Sequence, residues 1–254
     1  MVEAFAVASG KGGTGKTTST LALGMALADE HDVTVVDADT GMANLLFHAG
    51  LADAETTLHD VLVGETADVR EAAYDRFGMR VVPCGTSLAA FEAADPGRLR
   101  DAVAELAADT DVLLLDSPAT LGSKAAVLPV VLADRAVVVL RPTVPALSDG
   151  LKVQEYALSY GTGIAGTLFN KVRDPADGTI EKAERYFEGP TLATVPDSDA
   201  ARAARAAGEP LLAYAPDSEA AAAYRRAADR IDVRDGGEDA VADRFRSAVV
   251  PDPP

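Results

Sequence analysis

The segment Ala4-Phe5-Ala6-Val7-Ala8-Ser9-Gly10-Lys11-Gly12-Gly13-Thr14-Gly15-Lys16-Thr17-Thr18 decides the fold of this 254-residue chain. It passes from an apolar run into a helix-forming one through a turn that fits G-x-x-x-x-G-K-[ST] from Gly10 to Thr17. Strand, glycine-rich turn and helix in that order are the context in which the pattern binds phosphate. The glycines let backbone N–H groups close around an anion with no Cβ in the way. The helix that follows offers the positive end of its dipole. Lys16 then reaches the β- and γ-phosphates of a nucleoside triphosphate, and the Thr17 hydroxyl is a ligand for Mg²⁺. Gly12, Gly13, Thr14, Gly15 and Thr18 are expected to line the same phosphates.

Outward from this turn, apolar runs rich in β-branched residues recur at 4–8, 33–36, 80–82, 112–115, 136–140, 164–169 and 192–195. They lack polar–apolar alternation, as strands buried on both faces should. Helix-forming stretches lie between and after them at 16–28, 98–107, 123–132, 148–160, 180–186, 199–206 and 218–231. The alternation predicts an α/β fold of three layers, a mostly parallel twisted sheet of about seven or eight strands with helices on both faces. Ligands of such sheets sit beyond the carboxyl ends of the strands. One domain is expected over 3–232, because Arg234-Asp235-Gly236-Gly237 reads as a linker and Pro251-Asp252-Pro253-Pro254 cannot continue a helix. Residues 233–254 are then a tail.

Three further segments place polar groups just past apolar runs. Val35-Val36-Asp37-Ala38-Asp39-Thr40-Gly41-Met42-Ala43-Asn44-Leu45 carries two carboxylates. Asp39, further out of the strand, is the candidate for orienting an attacking water or holding the metal's water shell, and Asp37 for fixing the loop. The same acids could instead cap a short helix at 42–46. Val112-Leu113-Leu114-Leu115-Asp116-Ser117-Pro118-Ala119 is a buried run ending in a carboxylate, so that Asp116 can receive a water of Mg²⁺. Thr167-Leu168-Phe169-Asn170-Lys171-Val172 leaves an amide able to pair with adenine.

Lys11 adds a second lysine to a loop that needs one. Lys11-Gly12-Gly13-Thr14-Gly15-Lys16-Thr17-Thr18 resembles the deviant Walker A box of the MinD/ParA family of P-loop ATPases, usually written with Val where this chain has Thr14. Residues 37–44 are similar to the family's first switch, D-x-D-x-G-x-x-N, and Asp116-Ser117-Pro118-Ala119 to its second, D-x-P-A. The continuation Thr120-Leu121-Gly122 departs from the family's usual Gly-Leu. Val195-Pro196-Asp197 resembles the segment that closes over the base, and 57–64, 94–96, 208–210 and 214–218 look like MinD-type segments, so the likeness spans about 3–232. It implies a slow, partner-stimulated, Mg²⁺-dependent ATPase in which ATP joins two copies of the chain. Lys11 would reach the nucleotide of the other copy, and Asn170, Pro196 and Asp197 would hold the base. The implied role is spatial positioning in cell division, motility or surface-structure placement, with an activating or cargo protein. The alternatives are a ParA-like DNA-segregation ATPase and a nucleotide-binding scaffold that does not hydrolyse.

The formal net charge is -17, and the only lysines are Lys11, Lys16, Lys124, Lys152, Lys171 and Lys182. Acid-rich, lysine-poor, alanine-rich composition resembles that of proteins from halophilic organisms, where molar salt relieves self-repulsion. The same surface opposes sequence-independent DNA binding. No apolar run approaches the length of a membrane-crossing helix, and Met1-Val2-Glu3-Ala4-Phe5 lacks the form of a secretory signal, so a cytoplasmic location is expected. Within 238–250, Val241, Phe245, Ala248 and Val249 fall on one side of a possible helix. Arg244 and Arg246 there are accompanied by Glu238, Asp239 and Asp243, which allows only a weak peripheral membrane contact. The lone Cys84 excludes an internal disulfide, and a two-fold dimer could offer only two thiolates to a metal cluster. His31, His48 and His59 show no metal-ligand spacing and receive no catalytic role.

Overall fold

The computed structural model describes residues 2–66, 68–119, 124–173 and 178–234, with the backbone alone at 124 and 125. Thr120-Leu121-Gly122 and the expected tail helix at 238–250 lie outside the described residues. The strands are β1 (Glu3–Ala8), β2 (Val33–Asp37), β3 (Tyr74–Arg76), β4 (Met79–Val82), β5 (Val112–Asp116), β6 (Arg135–Leu140), β7 (Gly163–Val172) and β8 (Thr191–Pro196). They form one eight-stranded sheet in the order β3-β4-β2-β5-β1-β6-β7-β8. Every pair is parallel except β3 with β4.

The helices are α1 (Lys16–Leu27), α2 (Leu45–His48), α3 (Leu58–Val63), α4 (Leu88–Ala93), α5 (Gly97–Leu106), α6 (Lys124–Leu132), α7 (Val144–Ser159), α8 (Thr179–Ala183), α9 (Asp199–Ala207), α10 (Leu211–Tyr214) and α11 (Glu219–Ala228). Alternate residues of each central strand enter opposite cores, which is why these runs read as continuously apolar. Phe5 and Val7 pack with Leu21 and Leu23 of α1 and Tyr224 of α11. Ala4 packs on the other face with Leu58 of α3, Leu99 and Val103 of α5 and Leu128 of α6.

Three differences from the sequence expectation have local causes. Strand β3 is only Tyr74-Asp75-Arg76, two of them charged, and it carries no apolar run to reveal it. Helices α2, α3, α4 and α10 are four to six residues long, too short for a helical period to emerge. Helix α7 begins at Val144, earlier than the expected 148, because Pro145 sits in its first turn where no N–H is needed.

Two features govern the ends of the sheet. Edge strand β3 is short and charged, while at β8 the Arg230 guanidinium donates to the carbonyls of Thr191 and Leu192. At the amino ends of β1 and β6, Glu3 and Arg135 form a buried bidentate pair, Nε to Oε1 at 2.6 Å and Nη2 to Oε2 at 2.9 Å. Arg135 also donates to the Asp232 carbonyl at 2.5 Å and lies over the Phe5 ring, and the Arg234 N–H donates to Glu3 Oε2 at 2.6 Å.

At the opposite, carboxyl edge, parallel register places Asp37 of β2 directly beside Asp116 of β5, with Val7 of β1 on the other side of Asp116. From β1 the chain runs to β2 on one side of it, and after β5 it crosses over β1 to β6 on the other side, so the strand order reverses at β1. That is the switch point where ligands of open α/β sheets bind.

Candidate functional site

The turn after β1 meets this edge. Gly15, at φ 98°, is the N-cap of α1 and supplies no side-chain cap, so the first N–H groups of the helix stay available to an anion. A Cβ at Gly15 would lie 2.3 Å from Asn170 Nδ2, and one at Gly10 would lie 2.4 Å from the Asp149 Cβ, so both positions need glycine. Thr14, where the resembled box has Val, is buried, and its hydroxyl donates to Ser9 Oγ at 3.0 Å. Ser9 in turn donates to the Lys11 carbonyl at 2.8 Å, so the departure braces the loop from within.

A cavity of about 510 Å³ opens over the loop. Gly12, Gly13, Gly15, Lys16, Thr17, Thr18, Asp39, Asn170, Pro196 and Asp197 all line it, whereas Gly10, Lys11 and Thr14, expected with them, do not. Asp116 lies beneath rather than in it, nearly sealed, and accepts hydrogen bonds from the Thr17 and Thr20 hydroxyls. Asp37 is fully buried, and its carboxylate accepts the N–H groups of Asp39 and Leu45, each at 3.3 Å. It thus meets the first residue of α2, close to the alternative of acids capping a short helix. Asp39 accepts the Met42 N–H at 3.1 Å.

Three carboxylates and one lysine in so little space perturb one another. Burial lowers the Lys16 pKa, partly offset by Asp116 and Asp39. Burial first, then the charges of Asp116 and Asp39, raises Asp37 well above the usual range. Asp39 is raised by burial. Asp116 is pushed up to about 6, chiefly by burial, against the Thr17 and Thr20 hydroxyls and Lys16. Such a set is short of positive charge, which fits a divalent cation and a triphosphate arriving together. Among the described residues no group of three or more His, Cys, Asp or Glu is arranged to hold a metal. A metal here would therefore draw ligands from phosphate oxygens and the Thr17 hydroxyl as well as carboxylate-held water.

A raised carboxylate pKa stabilises the fold fully below the unfolded value, 3.8, and that contribution is lost as pH rises through the folded value, about 6. Without nucleotide, Asp116→Asn should therefore be more stable than the parent above pH 6, by roughly 3 kcal/mol. Its melting temperature should also change less between pH 4 and 7. Thermal unfolding over that range checks both; equal stability at pH 7.5 would refute a buried, costly charge.

The far end of the cavity is cationic to a degree the sequence did not disclose. Lys171, Arg141, Arg173, Arg202 and Arg205 line it, with the uncharged His48 beside them. Their only forewarning was that three of the chain's few lysines, Lys11, Lys16 and Lys171, sit in or next to recognised segments. Lys171, at φ 57°, is in the left-handed region and reaches the Gly13 carbonyl with Nζ at 2.7 Å. Asn170, expected to face adenine, donates instead to the Thr14 carbonyl at 2.9 Å and accepts the Lys171 N–H at 2.8 Å. Asp197 is gripped by Arg173 at 2.8 Å and Arg202 at 2.7 Å, which hold it below the usual carboxylate range. Burial and then Arg205 push His48 down to about 4. Lys11 is half exposed and pairs with Asp149 of α7 at 3.0 Å, an aspartate also met by Lys152.

Residues 5–211 match the model of the CobQ/CobB/MinD/ParA nucleotide binding domain family. An ATP-binding protein of Methanocaldococcus jannaschii is 38% identical over 211 residues, 82% of this chain and 79% of the relative. The crystal structure of the cell division ATPase MinD of Pyrococcus furiosus superposes with a TM-score of 0.83 at 33% identity, covering 91% of this chain and 99% of that one. MinD of Pyrococcus horikoshii complexed with Mg-ADP gives a TM-score of 0.83 at 31% identity, over 91% and 96% of the two chains.

Proposed function

Since the chain belongs to the CobQ/CobB/MinD/ParA nucleotide binding domain family, we propose that it is a Mg²⁺-dependent ATPase whose ATP-bound form pairs with a second copy, and that hydrolysis parts the two. The observation that carries this is the uncapped α1 above Lys16, Thr17 and the buried Asp37–Asp116 pair. Gly10 to Thr18 hold the phosphates, Thr17 and water on Asp116 hold the metal, and Asp39 orients the attacking water. When bound, Mg²⁺ neutralises charge on the β- and γ-phosphates. Pro196 and Asp197 form the base end, with Arg173 and Arg202 fixing Asp197, while Asn170 ties the phosphate loop to β7.

The ATPase domain on this proposal is 3–232. Its cycle serves to position another component, in division, motility or surface-structure placement, under the control of an activating protein. No helix among the described residues is long and apolar enough to cross a membrane. A cytoplasmic protein with weak membrane contact through 233–254 belongs to the same proposal.

Lys11 supplies the test of pairing. In the single chain its ammonium is spent on Asp149, and reaching a partner's nucleotide requires that contact to break. The mass in solution with Mg·ATP, in an Asp39→Ala background that slows turnover, should be twice the 26.2 kDa of one chain, and with ADP it should be that of one chain. Lys11→Ala should stay single in both. Asp149→Ala should pair at about two- to fivefold lower ATP, the scale of an exposed ion pair. A wild-type chain that stays single in every state sinks the pairing while leaving ATP binding intact.

A further inference from the structure

The loop carrying Asp37 and Asp39 is fastened from behind by residues outside the nucleotide site. Helix α3 is anchored at its start by a capping box between Thr57 and Asp60, and by the Leu58 N–H on the Pro83 carbonyl at 2.8 Å. That fixes His59, whose Nε2 lies 3.0 Å from the Thr40 carbonyl. A carbonyl only accepts, so Nε2 carries the proton. Nδ1, the other ring nitrogen, is sealed from solvent and has no hydrogen-bond partner among the described residues. Gly85 leaves room beside it: a Cβ there would lie 3.4 Å from Nδ1.

A buried polar nitrogen left unpaired is costly, and a phenyl ring of similar shape would avoid the cost. Packing alone therefore gives no reason for histidine here, and among the described residues the ring's polar contact is to the switch loop. Two neighbours act on the same loop: Cys84 Sγ donates to the Asp37 carbonyl at 3.1 Å, and the Phe91 ring packs against Gly41. Beyond Gly41 the loop is open, with Met42 71% exposed.

We propose that His59 is a positioning residue for Asp39, holding the root of the first switch at the Thr40 carbonyl so that only the segment from Gly41 onward moves with nucleotide and partner. The proposal rests on the ATPase reading above for its functional consequence and on the hydrogen bond alone for its structural one.

Two variants test it. His59→Phe removes the donor and the orphaned ring nitrogen together, and His59→Gln retains a donor at the Nε2 position. With ADP, amide exchange at 38–42 should quicken roughly five- to tenfold in His59→Phe, the worth of one such bond, while the rest of the domain is unchanged. kcat for ATP should fall by about tenfold with KM within twofold, and His59→Gln should restore both to within about threefold. If the wild type hydrolyses nothing, the ATPase reading fails and the exchange measurement still decides the positioning role. Unchanged exchange at 38–42 in His59→Phe overturns it, as does a rise spread over the whole domain that His59→Gln leaves uncorrected.

Discussion

Replacing Lys16 with alanine is expected to lower ATP turnover at least about a thousandfold, while ADP affinity falls only about tenfold. The difference follows from what remains. The N–H groups of an uncapped α1 and the left-handed Gly13 and Gly15 would still cradle an anion. What disappears is the one ammonium buried against the phosphates' place, with Asp116 and Asp39 acting on it. A hydrogen bond to an oxygen that gains charge in the transition state is worth 10² to 10³ in rate, and a desolvated cation more. Steady-state turnover beside calorimetry with ADP measures the two effects separately. Retention of more than a tenth of the turnover would show that Lys16 does not face the transferred phosphoryl group.

Arg135→Ala is expected to cost about 3–5 kcal/mol of stability, the scale for breaking a buried ion pair from one side. Glu3 would be left in a site that is 3% exposed, with the Arg234 N–H as the remaining partner of its side chain among the described residues. At 2–4 °C per kcal/mol for a chain of this size, the melting point should drop by roughly 10 °C or more. Arg135→Met with Glu3→Leu should recover at least half of the loss, because no unpaired charge is left behind. ADP affinity should stay within twofold in both, since the pair lies at the amino ends of the strands and the cavity at their carboxyl ends. A drop below about 3 °C for Arg135→Ala would mean that water reaches Glu3.

Legibility in the sequence followed the range of the interactions. The phosphate turn, the seven parallel strands and the carboxylates at 37, 39 and 116 were readable because each depends on residues adjacent in the chain: glycines that shape a turn, or an apolar run ending in an acid. Lys11 on Asp149 and Arg135 on Glu3 were not, because they join positions more than a hundred residues apart. The cationic far end of the cavity was hidden for the same reason, since Arg141, Lys171, Arg173, Arg202 and Arg205 come from three separate stretches. His59 gives no sign in the sequence, where its spacing fits no metal site. Its contact with Thr40 is made across the fold, and no periodicity announces it.

The blunted borders of the sheet limit how this molecule can multiply. A row of free main-chain groups invites a neighbour to add a strand, and growth of that kind needs no fuel and has no end. At one border the invitation is reduced to three residues, two of them oppositely charged, and at the other an arginine holds main-chain carbonyls of β8. On the proposed function, pairing of copies would then be left to the rim that takes the nucleotide, where the chemistry of that site could set it and reverse it.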